Sequence, residues 1–206
     1  MRMLTRFTRG IFLLAAVGAS LSIGFAQEKM RWDITSVQFS EGRPNVVSPG
    51  GFASAWQLDP GYMGRWKITM TGTGTFSSWD PSDVSGGGTW RIQRLTTAGQ
   101  YEEVSRGTFT VTALVSWALD SPQLLSVINK VTNTTAEDFR NGMGVFRIAY
   151  SDGSKGALMI SCAGPGASNQ VYEGISAIKG QLHFAWPELP APGTVDANRN
   201  IFTVLR

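Results

Sequence analysis

The side chains best suited to chemistry lie late in the chain. Glu173 sits within Val171-Tyr172-Glu173-Gly174-Ile175-Ser176-Ala177-Ile178, a stretch that is otherwise apolar and small. A carboxyl group buried among such neighbours has a raised pKa, which suits it to general acid or base work. Arg147, in Val145-Phe146-Arg147-Ile148, is the charged partner the sequence offers. The plainer reading puts both on the water side of a half-exposed sheet. Arg147 in particular falls on the strand face opposite Phe146, Ile148 and Tyr150. His183 is the only histidine. It alternates with Leu182, Phe184 and Trp186 and so reads as an outward strand residue.

Much chemistry is excluded. One histidine and one cysteine, Cys162, cannot build a histidine-rich zinc site. No Cys-x-x-Cys-His haem attachment and no Gly-x-Ser-x-Gly elbow is present. Gly86-Gly87-Gly88 lacks the Lys-Ser/Thr of a phosphate-binding loop and leads into a strand. Cys162 has no cationic neighbour in Ile160–Gly166 to favour its thiolate, and it reads as a small buried hydrophobe. Asp80 and Asp83 share an oxygen-rich loop, but their spacing is not that of an EF-hand and an Asp-Pro turn accounts for it. No metal and no cofactor is expected.

Seven tryptophans are the unusual feature. Trp66, Trp90 and Trp117 lie at inward positions of strand patterns and read first as core. Trp79 lies in a polar loop, where its ring is free to stack on a sugar or an apolar ligand. These four are the candidate ligand contacts, and the ligand they suit is an apolar or amphipathic small molecule.

The elements that must position these residues are mostly strands. In Gly107–Trp117, Phe109, Val111, Ala113, Val115 and Trp117 alternate with Thr108, Thr110, Thr112 and Ser116, the period of a strand with one buried face. Tyr62–Thr71 alternates likewise through Trp66, Ile68 and Met70. Met143–Tyr150 and Lys155–Cys162 flank Ser151-Asp152-Gly153-Ser154, a turn sequence that predicts an antiparallel hairpin. Further strands are expected at Arg31–Phe39, Phe52–Gln57, Gly88–Leu95, Tyr172–Trp186 (broken at Gly174 or Gly180) and Asn200–Leu205. One segment reads as helical: Asp120 or Ser121 as cap, Pro122 in the first turn, then Leu124, Leu125, Val127 and Ile128. A second short turn is expected over Thr135–Arg140. The sum is a mainly β protein: a single antiparallel β-barrel of about eight strands with one or two short helices, with a β-sandwich as the alternative.

Two motifs carry a family likeness. Gly64-x-Trp66 and Gly88-x-Trp90 resemble the strand-opening motif of lipocalins and related calycin barrels. The run Val171–Gly180 resembles the glycine-spaced late strand of allene oxide cyclase and dirigent-type barrels. The resemblance implies a small barrel with an apolar cavity, and covers about a fifth of the chain after residue 26.

Met1–Ala26 carries Arg2, Arg6 and Arg9 and no acid, then an apolar run from Ile11 to Ile23, then small residues at Gly24 and Ala26. This is the three-part pattern of a secretory signal peptide cut before Gln27. The run is short of the ~20 residues that span a bilayer. No later stretch is long and apolar enough to span. The chain therefore divides into a signal peptide, 1–26, and a single β-barrel domain, 27–206, exported to the periplasm or beyond. The absence of any possible internal disulfide fits a bacterial envelope. The 206 residues carry a net charge of +3, but 27–206 holds fifteen basic and fifteen acidic side chains. That neutrality removes the basic footprint of a nucleic-acid binder. Three functions compete: an exported small-molecule binder, an envelope interaction or structural protein, and a cofactor-free isomerase or cyclase using a cavity carboxylate.

Overall fold

A computed structural model describes residues 27–57, 65–124, 126–190 and 196–206. Among these the chain is mainly β, in thirteen strands of one sheet. They are β1 (Lys29–Ser40), β2 (Arg43–Pro49), β3 (Ala53–Gln57), β4 (Trp66–Met70), β5 (Thr73–Ser77), β6 (Val84–Leu95), β7 (Tyr101–Pro122), β8 (Ile128–Asn129), β9 (Phe139–Tyr150), β10 (Lys155–Cys162), β11 (Gly174–Lys179), β12 (Leu182–Pro187) and β13 (Asp196–Leu205). Pairing runs β10-β11-β12-β3-β4-β6-β7-β9-β13-β1-β2-β8, with β9 also on β10 and β5 bridging β1 and β6. Every pair is antiparallel except β2 with β8.

The expected hairpin is present. β9 pairs with β10 from Ala149↔Lys155 to Gly142↔Cys162, and Gly153 supplies the positive φ of the turn, 85°. The late stretch splits into β11 and β12 around Gly180, as the glycine pattern predicts. β2 and β5 were not legible: Arg43–Pro49 and Thr73–Ser77 are rich in proline, glycine and small polar residues.

Alternation places Met30, Trp32 and Ile34 of β1 inward, all 1% exposed or less. Trp32 meets Phe146 at 5.7 Å between ring centroids. Phe76 makes edge contacts with Trp117, Phe146 and Phe202 at 5.3–6.1 Å. These rings belong to one buried apolar core. The Trp32 seat demands a glycine opposite, since a Cβ on Gly74 would lie 2.7 Å from the indole nitrogen. A smaller apolar cluster, Val37, Val47, Val131, Phe139 and Ile201, lies beside this core.

Two expectations are corrected. The helix from Pro122 to Ile128 does not form, and no α-helix occurs among the described residues; one 3-10 turn, Ala136–Asp138, falls in the second predicted segment. β7 instead runs on through Pro122, which pairs with Arg140. The next two amides donate away from their own turn: Gln123 N–H to the Phe139 carbonyl and Leu124 N–H to the Pro165 carbonyl, each 3.0 Å. Those first-turn amides would have no acceptor within a helix; here chain distant in sequence supplies one, and Ile128–Asn129 goes on to pair with Val46–Val47 of β2. Leu125 lies outside the described residues. The face pattern of β7 also changes midway. Register shifts between Val111 and Ala113, Leu114 and Ser116, and Leu119 and Ser121 mark bulges. Each bulge flips the faces. Leu114 therefore turns in, Val115 is 53% exposed, and Trp117 returns to pack on the core.

Candidate functional site

Glu173 immediately precedes β11, whose first residue Gly174 pairs with Ser161 of β10. That register sets the carboxylate beside the end of β10 and against β13. Its Oε2 accepts the Ala163 N–H at 2.7 Å and its Oε1 the Asn200 N–H at 2.6 Å. Glu173 is buried, 9% exposed. Two short N–H bonds to an ionised oxygen pair are of the strong, charge-assisted kind. They staple the end of β10 and the last strand to one side chain.

Around this carboxylate the polar groups interlock. Asn200 Nδ2 donates to the carbonyls of Ser161 and Gly174 at 3.0 and 2.8 Å. Cys162 Sγ donates to the Asn200 carbonyl at 2.9 Å and accepts from Gln123 Nε2 at 2.8 Å. Asn141 Oδ1 accepts the Gly164 N–H at 2.8 Å, and Asn141 Nδ2 donates to Ser121 Oγ at 3.0 Å. Asp120 accepts the Ser168 N–H at 3.0 Å, holding the loop after β10 to the end of β7. Gln123, Asn141, Cys162 and Asn200 are all buried.

Burial pushes the Cys162 thiol well above its usual range, and the Glu173 charge pushes the same way against the Gln123 hydrogen bond. The thiol is protonated at neutral pH and is no nucleophile.

Of these groups, Gln123, Cys162, Gly164, Glu173 and Asn200 line an open cleft of about 390 Å³. Its apolar lining is Val37, Phe39, Pro44, Val47 and Ile201, from β1, β2 and β13. Arg199 lines the same cleft, its guanidinium carbon 5.4 Å from the centroid of the Phe39 ring. The volume lies in the range of small-molecule sites, and an apolar lining with a few fixed polar groups is their usual composition.

The other predicted residues are dispersed. Arg147 is exposed on β9, its carbonyl accepting from Thr112 Oγ1, and it does not line the Glu173 cleft. His183 is exposed and borders a small groove with Met159 and Ile178. The four tryptophans do not share a site. Trp90 is buried against Tyr150, its indole N–H donating to the Thr108 carbonyl at 3.0 Å. Trp66 packs at the edge of the core with Arg94 over its ring. Trp79, 48% exposed, and Trp117 line a groove of about 530 Å³ with Leu119 and Glu28. In the Asp80–Asp83 loop, Asp80 accepts from the Ser82 N–H and hydroxyl, and Asp83 pairs with Lys29 and Ser77. Those bonds cap a turn. No cluster of metal-ligating side chains occurs among the described residues.

The reading from sequence passed over Gln123, Asn141, Arg199 and Asn200. Amides in loops carry no chemical signature. Asn200 carried no sign either, since it follows Asn198-Arg199 in a strand that is polar up to Ile201. Comparison of the chain with known protein families, curated proteins and solved structures found no match.

Proposed function

We propose that this protein is exported by its N-terminal segment, folds as a β-barrel, and binds an apolar or amphipathic small molecule in the cleft beside Glu173. The pairings support the barrel: from β10 through β11, β12, β3, β4, β6, β7 and β9, the path returns to β10. The strands share one buried core that includes Ile68, Met70, Trp90, Phe146, Leu158 and Phe184, and the ligand is placed in the lateral cleft. The observation that carries the reading is the composition of that cleft, an apolar lining from β1, β2 and β13 together with a buried polar cluster.

Native mass spectrometry of the protein isolated from the cells that make it tests this. A defined extra mass is expected, lost on denaturation and absent from Ala163→Trp, which fills the cleft while keeping the amide that holds Glu173. An adduct-free protein whose melting temperature ignores a lipid extract of those cells refutes the binding reading. N-terminal sequencing beginning at Gln27 is the matching expectation for export.

A second reading rests on a separate observation. Trp79, Leu119 and Val115 are large, apolar and 44–53% exposed near the end of β7. A filled barrel acting through this face would be an envelope interaction protein. The isomerase or cyclase reading loses Arg147 as a partner for Glu173, because Arg147 does not line the cleft.

A further inference from the structure

The loop between β5 and β6 is tied down on both sides of Trp79. Ser78 donates its N–H to the Glu28 carbonyl and accepts the Glu28 N–H on Oγ, each at 3.1 Å. Asp80 accepts the Ser82 N–H and hydroxyl at 2.9 and 2.7 Å. The Pro81 carbonyl accepts the Leu114 N–H of β7 at 3.0 Å. Trp79 lies between these anchors, so its backbone is held in place. Its indole is 48% exposed and makes no hydrogen bond and no ring contact among the described residues. A large ring presented this way gives contact area to a ligand at little cost in conformational entropy.

Trp117 is the second ring of the same groove, and the core fixes it. Phe202 and Phe76 meet it at 4.6 and 5.3 Å between ring centroids. It lies against Gly142, where a Cβ would come within 2.9 Å of the indole. The polar groups of the groove are open both as donors and as acceptors. Glu28 Oε1 takes Arg140 at 3.4 Å, and its Oε2 has no partner among the described residues. The Ser78 hydroxyl accepts the Glu28 N–H and donates to no described residue. The exposed Gln27 side chain adds an amide, which both donates and accepts. A hydroxyl group has the same double character, so a ligand carrying several of them uses all three side chains. Glu28 is the only charged residue lining the groove, which disfavours an anion, and its pairing with Arg140 leaves little charge for a cation.

We propose that the groove of Trp79 and Trp117 is a saccharide site. It takes a neutral pyranose chain, with flat C–H faces against the indoles and hydroxyls on Glu28, Ser78 and Gln27. Its volume of about 530 Å³ lies in the range of ligand sites. It shares no lining residue with the Glu173 cleft, and the proposal does not rest on a ligand being bound there. An apolar molecule without hydroxyls covers the rings and leaves the Glu28, Ser78 and Gln27 groups without partners.

The test titrates cellohexaose and chitohexaose calorimetrically into the protein isolated from its producing cells. The hyaluronan hexasaccharide serves as an acidic chain of similar length, and octanol as an apolar probe without a sugar ring. At least one neutral chain is expected to bind, more tightly than hyaluronan or octanol. Trp79→Ala is expected to weaken that binding about tenfold, the upper end of what one aromatic contact is worth. Its melting temperature is expected to stay within about 3 °C, since exposed substitutions seldom cost more. Glu28→Gln keeps the shape, removes the ionised acceptor and is expected to weaken binding several-fold; it carries the test should Trp79→Ala fail to fold. Binding of neither neutral chain overturns the proposal. So does equal or tighter binding of hyaluronan or octanol. Unchanged affinity in a folded Trp79→Ala, or in Glu28→Gln, places the sugar elsewhere and overturns it too.

Discussion

Glu173→Gln isolates the staple at the centre of the site. The carboxylate accepts one amide on each oxygen, Ala163 N–H at 2.7 Å and Asn200 N–H at 2.6 Å. Glutamine has a single acceptor oxygen. Whichever way its amide turns, its NH2 faces a backbone N–H in a buried site. The unmade bond costs about 1–3 kcal/mol, and loss of charge assistance on the other adds about 1 kcal/mol. The expected destabilisation is about 2–4 kcal/mol. For a chain of this size that lowers Tm by about 5–15 °C. Equilibrium urea unfolding reads the free energy, and hydrogen exchange of the Ala163 and Asn200 amides reads the location. Both amides should exchange faster, because the end of β10 and the last strand lose their common tie. A change below about 0.5 kcal/mol with unchanged exchange at those two amides would refute the argument that Glu173 bridges them.

The bulges in β7 predict opposite outcomes for neighbours: Leu114→Ala should cost about 2–5 kcal/mol and Val115→Ala under about 0.5 kcal/mol, measured by thermal melts, whereas the unbroken alternation would reverse that order. Cys162, 1% exposed with its thiol pushed up by burial, should react with a disulfide reagent only at the rate of unfolding, and fast modification of the native protein would contradict its placement. Asp152 is held down to about 2 by Lys179 and Ser154, below the usual ~3.9. Its contribution is therefore present above about pH 4 and lost as pH falls towards 2. Asp152→Asn should flatten the fall of Tm over that interval, and an unchanged acid limb would contradict the pairing.

Strands with one buried face were legible because side-chain period and burial coincide. Met143–Tyr150 and the inward tryptophans of β4 and β6 follow that rule. Pattern alone failed where the backbone departed from it. A bulge leaves no mark in Thr112-Ala113-Leu114-Val115, yet it decides which of Leu114 and Val115 is buried. Pro122-Gln123-Leu124 has helix-start chemistry locally, but long-range acceptors at Phe139 and Pro165 claim its amides. Such competition is settled by tertiary context. Glu173 was visible as a carboxylate in apolar surroundings. The Ala163 and Asn200 backbone amides that it accepts were not, because only the register of β10, β11 and β13 brings them to it.

β1 and β13 pair along eight register positions, from Lys29↔Leu205 to Val37↔Asp196. The first strand of the domain is thus sealed by the last. One edge of β1 pairs with β5 and β2, close in sequence, but Trp32 and Ile34 gain the strand on the other edge only when β13 is available. Contacts this distant in sequence slow closure to the millisecond-to-second range of barrel-like topologies. The same pairing also means that a shortened chain lacking the final ten residues presents β1 as an open hydrophobic edge, a template for self-association.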